Sequence, residues 1–195
     1  MINIEEVSKN EDLGLALGRV ASGVYVLTLC REQKRQGMLS TWITQASFTP
    51  PMLTVAVKQD RPLAQSLEAG SLFTVNVLAK QNLAIFKAFA RAHVDDEARF
   101  ADLPLLDDAA EGAVFEGVIA AMVCKVHGNA PVGDHLIFMA EVLSGRPVNL
   151  DAEPMVHLRS SGFRYSLLLL ALKALVLGRI EIEAVHRIYP MHNKP

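Results

Sequence analysis

The chain is poor in cysteine, in net charge and in long apolar runs. Cys30 and Cys124 are its two cysteines, far apart and without a CxxC partner. A disulfide framework is excluded on that count, a zinc site is not expected, and two free thiols in a reducing cytoplasm are. A net charge of −2 supplies no basic face for a nucleic-acid partner. The longest apolar run, residues 167–177, is about half the length that spans a bilayer and is interrupted by Lys173, so no membrane span is expected. The polar, acidic residues 1–11 lack a basic region followed by an apolar run, and no signal peptide is expected.

Motifs are missing too. No GxGxxG and no Walker sequence occurs, so a bound nucleotide has to be held by something other than a glycine loop. Ser40 and Ser47 have no GxSxG context for a nucleophile. His93, His127, His157, His186 and His192 show no metal-ligand spacing.

What is present is an apolar fraction of 51% in 195 residues, enough to bury a core in one domain, with or without an appendage. Residues 4–19 read as a helix or two half-turns. Strands are expected at 24–30 (VYVLTLC), 38–48, 52–57 (MLTVAV) and 72–78 (LFTVNVL), and two or three more across 114–127 and 136–143. The charged residues 31–36 and the segment 128–134 are expected as turns. Helices are expected at 62–69, opened by Pro62 and stopped by Gly70, and at 81–91. The acidic stretch 94–112 reads as a surface excursion. Several short strands with two intervening helices suggest a small β-barrel rather than an alternating parallel sheet.

Residues 37–51 carry the densest polar row, Ser40-Thr41-Trp42-Ile43-Thr44-Gln45-Ala46-Ser47. Such a row reads more readily as an edge strand than as a site. The turn Lys58-Gln59-Asp60-Arg61 after the next strand shifts that balance. If the strands pair, it brings an ammonium and a guanidinium to one end of the hydroxyls, which is what an anion site requires. Trp42, the single tryptophan, either covers a ring system or fills a core.

The order GMLSTWITQASFTPPMLTVAV, LFTVNVL, IFKAFAR, then Gly133-Asp134-His135 before LIFMAEV, resembles the flavin reductase-like family of FMN-binding split β-barrels. It is similar in particular to the flavin reductase module at the C-terminal end of cyanobacterial diflavin flavodiiron proteins, and to flavoredoxin-like proteins. The likeness covers about residues 13–165. It implies a mainly β fold with a few helices, a Greek-key split barrel over residues 1–165; beyond the likeness, the residues of 166–195 read as a helical C-terminal extension. There, residues 166–177 are expected as a helix and 180–185 as an edge strand.

The resemblance also implies roles. Leu39, Ser40, Thr41 and Trp42, then Gln45, Ala46 and Ser47, would wrap the FMN phosphate, ribityl chain and ring edge. Lys58, Asp60 and Arg61 would add phosphate contacts. His135 would face the nicotinamide or another electron partner; read without the family, it is a turn histidine bonded beside Asp134. Arg159, Arg164 and Tyr165 read as a solvated basic loop in preference to a reach across a subunit interface.

The function so implied is an oxidoreductase passing hydride or electrons from NADH or NADPH to bound or free flavin. FMN is the expected cofactor, with FAD as the alternative, on a cytoplasmic homodimer. Many reductases of the family read Thr-Ala-Asn-Ser where this chain has Leu39-Ser40-Thr41-Trp42. That departure keeps a second reading open: an FMN-containing electron carrier reduced by a redox protein partner, without NAD(P)H activity of its own.

Overall fold

A computed structural model describes residues 10–91 and 95–163. They fall into two compact units, Ser22–His157 and a smaller one combining residues 10–21 with 158–163.

In the smaller unit, α1 (Glu11–Gly18) is capped by Asn10, whose side chain accepts from the Leu13 N–H at 3.0 Å. Arg159 is not a solvated loop residue as expected. Its guanidinium donates to the carbonyls of Gly162 (3.1 Å) and Leu17 (3.3 Å), tying this segment to the end of α1. Arg164, Tyr165 and the helix and strand expected in the tail lie outside the described residues.

In the larger unit the strands are β1 (Ser22–Gly23), β2 (Tyr25–Arg31), β3 (Lys34–Ser40), β4 (Ile43–Phe48), β5 (Pro51–Lys58), β6 (Leu72–Val77), β7 (Leu105–Ala109), β8 (Gly112–Phe115), β9 (Ala120–Val132), β10 (His135–Pro147) and β11 (Val156–His157). The helices are α2 (Pro62–Ser66), α3 (Leu83–Ala90) and α4 (Asp96–Phe100). Seven strands form one antiparallel sheet in the order β3-β2-β6-β9-β10-β5-β4. Two short pairs, β1–β11 and β7–β8, lie outside it.

That order dictates the shape. β3 and β4 are the two edges of the sheet, yet only Thr41 and Trp42 separate them in the chain. Laid flat, seven strands would hold their edges about 29 Å apart at roughly 4.8 Å per strand. The three backbone steps from Ser40 to Ile43 reach at most about 11 Å. The sheet must therefore curl until its edges meet, and because β3 and β4 are not hydrogen-bonded neighbours it remains a barrel split along that seam.

Alternation along β2 shows the two cores this makes. Leu27 and Leu29 point into the barrel with Val55, Val57, Phe73, Val75, Phe138 and Ala140, and Leu63, Ala64 and Leu67 around α2 pack into the same cluster. Val26 points outward into a second cluster, with Ile85 and Phe89 of α3, Phe100 of α4 and Phe115 of β8. Burial on both faces is why residues 24–30 read as a continuous apolar run. Between the cores, Asn76 donates to the Ala113 carbonyl (3.0 Å) and accepts from the Phe115 N–H (3.1 Å). Thr28 adds a 2.7 Å bond to that same carbonyl, so β8 is fastened to the sheet without unpaired polar atoms.

Several expectations change. The turn after β2 is only Glu32-Gln33, both at positive φ (51° and 64°), as a type I′ hairpin requires, and residues 34–36 belong to β3. The stretch 38–48 is two strands broken at the seam. Residues 128–132 continue β9, and the turn is Gly133-Asp134 alone, with Gly133 at φ 59°. The excursion 94–112 carries α4, whose Phe100 is 2% exposed, and β7. Its acidic pattern faces water while one aromatic anchors it.

Candidate functional site

Register brings three distant segments together. β10 pairs with β5 so that His135 lies opposite Lys58, and β4 pairs with β5 so that Ile43 lies opposite Val55. One step further along that register the Ala56 N–H donates to the Trp42 carbonyl at 2.9 Å. Ser40, Thr41 and Trp42 thus run toward the Lys58 end of β5, where His135 begins β10.

Trp42 and His135 meet as rings, with centroids 4.8 Å apart and planes tilted by 43°. His135 is 7% exposed, and its Nδ1 lies 2.7 Å from Asp134 Oδ1. That bond holds the Asp134 carboxyl below the usual aspartate range. His135 is thus bonded beside Asp134, as its reading as a turn histidine expected, and it also meets the tryptophan of the polar row.

Lys58 Nζ lies 3.0 Å from Asp60 Oδ2, and this contact raises the Lys58 pKa above its ordinary value. Asp60 therefore holds Lys58; a carboxylate has no proton to offer an anion. Arg61 is exposed, precedes α2, and has no side-chain partner among the described residues. The Thr41 hydroxyl is also without one, and so is that of Ser40, which is only 5% exposed. This donor set, a guanidinium, an ammonium and two hydroxyls beside an indole, fits the phosphate end and flat ring of a flavin nucleotide.

The rest of the row is elsewhere. Gln45 and Ser47 lie opposite Leu53 and Met52, roughly 17 and 20 Å along β5 from Lys58 at about 3.3 Å per residue, with Ala46 in the bulge between them. Gln45 donates to the Ser47 carbonyl at 3.3 Å, and the Ser47 hydroxyl accepts from the Thr49 N–H at 3.2 Å. Leu39 packs into the outer core and leaves only its backbone for a ligand. The sequence-based row is thus divided into a cluster at the seam and a separate pair of locally bonded side chains. Gln59 was missed. It sits inside the cationic turn and bonds the His135 turn, and only its position between Lys58 and Asp60 hinted at it.

A cleft of about 570 Å³ opens near Cys30, Lys34, Arg35, Glu97 and Asp108. It lies at the hairpin end of β3, about 20 Å along that strand from Ser40. Among the described residues no cluster of three or more His, Cys, Asp or Glu could hold a metal, and no helix is long and apolar enough to cross a membrane.

Fold and site together define a split-barrel protein with a polar seam. Residues 17–165 match the model of the flavin reductase like domain, and the chain belongs to that family. It is 34% identical to the putative diflavin flavoprotein A 6 of Nostoc sp. over 77% of this chain and 26% of that protein. It is 31% identical to the diflavin flavoprotein A 1 of Synechocystis sp. over 81% of this chain and 28% of that one. The chain thus spans just over a quarter of the length of these curated relatives. Among solved structures, the Streptomyces globisporus C-1027 NADH:FAD oxidoreductase SgcE6 superposes with a TM-score of 0.68 at 24% identity, covering 84% of this chain and 94% of that one.

Proposed function

We propose that this chain is an NAD(P)H-dependent flavin oxidoreductase that binds FMN at the barrel seam. The observation that carries the proposal is the meeting of Trp42, His135 and Lys58 beside the unpartnered hydroxyls of Ser40 and Thr41. In this reading Arg61 and Lys58 bind the phosphate, with Asp60 holding Lys58 in place. Ser40 and Thr41 donate to the ligand, and Trp42 covers it and excludes water. His135, oriented by Asp134, faces the incoming nicotinamide. Gln45, Ala46 and Ser47 would reach only the far end of an extended ligand. The flavin supplies the hydride-accepting chemistry when bound, so no acid–base pair is required of the chain.

FAD is the second reading of the cofactor. It is favoured by the SgcE6 structure in complex with NAD and FAD fragments, 25% identical to this chain with a TM-score of 0.66. The electron-carrier reading stands behind both.

A homodimer belongs to the same proposal. Met52, Ala56, Ile137 and Met139 share one outward face of β5 and β10 and enter neither core, with Met139 40% exposed. His135 continues that face, so a second copy seated there would close over the site. Cys30 and Cys124, both free thiols, suit a cytoplasmic protein.

The test is flavin uptake followed by stopped-flow mixing. A yellow protein whose absorbance bleaches with NADH or NADPH is expected. Failure to take up either FMN or FAD would sink the flavin reading, and bleaching only by a reduced protein donor would replace the reductase with the carrier.

A further inference from the structure

We infer that Gln59 is a positioning residue that sets His135 against Trp42, an assignment resting on the flavin-site reading above. Gln59 meets three consecutive carbonyls of one turn. Its backbone N–H donates to the Asp134 carbonyl at 3.1 Å. Its side-chain Nε2 donates to the Gly133 carbonyl at 3.2 Å and, at a longer 3.5 Å, to that of His135. A carboxamide has two N–H donors, so the two side-chain bonds use separate hydrogens.

The location gives these bonds their consequence. The β5–β10 register begins at the pair Lys58 and His135. Beyond it, toward the turn, Gln59 supplies the hydrogen bonds from the β5 side. Gly133 stands at φ 59° in the two-residue turn between Val132 and His135, with open space where a side chain would be, so the turn gains no side-chain packing there. The Asp134 carboxylate that meets the His135 ring hangs from this turn, and the same ring meets Trp42. The other charges nearby, Lys58 and Asp60, are paired with each other. The side chain of Gln59 touches no part of the proposed ligand cluster except through this turn. It connects the segment proposed to bind phosphate with the one proposed to face the nicotinamide.

Two measurements test the assignment. Trp42 is the only tryptophan, so intrinsic emission of the flavin-free protein reports its contact with His135. At one fixed pH, His135→Asn is expected to change the intensity of that emission, because it removes the ring that the indole meets. Gln59→Ala and Gln59→Glu both lack the side-chain donors and are expected to reproduce at least about half of that change; Gln59→Lys, which keeps a donor, should match the unmodified protein. In the flavin-loaded protein the same two variants should lower kcat about tenfold and leave the flavin Kd within about twofold, since misplacing a reacting group acts on turnover rather than on binding.

Emission in Gln59→Ala equal to that of the unmodified protein, or no change in His135→Asn, overturns the assignment. So does a Gln59→Lys variant as impaired as Gln59→Ala, or a kcat unchanged in both donor-lacking variants. The emission experiment needs no flavin, so a chain that binds none would refute the functional reading while this arm still decides the role of Gln59.

Discussion

The ring centroids of Trp42, at the seam of the split barrel, and His135, at the start of β10, stand 4.8 Å apart, although most of the sheet lies between them in the chain. Trp42 is fixed by its carbonyl on Ala56 and His135 by its register with Lys58, so β5 serves as the common ruler for both. This shared ruler lets neighbouring residues be tested separately.

Arg61→Ala should weaken FMN binding by about 1–3 kcal/mol, or roughly 5- to 150-fold in Kd, through loss of a charge-assisted phosphate contact. Riboflavin, which has no phosphate, should bind the variant and the unmodified protein alike. Ser47→Ala, far along β5 with its hydroxyl engaged by Thr49, should change either affinity much less. Isothermal titration with the two ligands checks all three, and equal losses for FMN and riboflavin would move the phosphate away from Arg61.

Met139→Glu places a charge in the middle of the outward face shared by Met52, Ala56 and Ile137. Light scattering on a sizing column should give twice the chain mass for the unmodified protein and the single-chain mass for the variant, because an unpaired charge in an apolar interface core opposes association. A variant that stays dimeric would put the interface on another surface.

Gly37→Ala should destabilise the fold by about 1–3 kcal/mol through overpacking. A methyl group there would run into the Phe89 ring and crowd Phe100 at 3.1 Å. The position packs the outer core, so the flavin Kd should hold steady, and the double variant Gly37→Ala, Phe89→Leu should recover part of the loss. Chemical denaturation measures it; a single variant as stable as the original protein would contradict the packing.

Acid sensitivity follows from four carboxylates. Hydrogen bonding holds three of them below their ordinary values, Asp134 through His135, Glu97 through Arg35 and Glu153 through Lys80. Such groups stabilise the fold above their unfolded pKa, and that contribution disappears as pH falls through the folded value. Asp96 is raised by desolvation and acts with the opposite sign. The melting temperature should therefore be level above about pH 5 and decline below about pH 4. Glu97→Gln should flatten the decline and Asp96→Asn steepen it. The effects will be small, because Asp134 and Glu97 are well exposed and screened by solvent. A melting temperature that climbs below pH 4 would reverse the assigned signs.

Local pattern was enough for several strands and two of the helices. Alternation and β-branched residues marked β2, β5 and β6, Pro62 marked the start of α2, and the alanine-rich stretch marked α3, because each depends on neighbours in the chain. The order of motifs was also enough to indicate the family. Tertiary structure decided the rest. The polar row looked continuous in sequence, but curling brings Ser40, Thr41 and Trp42 to His135 and leaves Gln45 and Ser47 a strand-length away. Phe100 looked like part of an acidic surface loop until the packing of Phe89 and Phe115 enclosed it. Gln59 looked like a spacer between charges, and only the β5–β10 register sets it against three carbonyls. Sequence alone determines which residues favour a strand, a turn or a helix. Which of them meet across the barrel is decided by the register of distant strands, which is set when the whole apolar pattern packs at once.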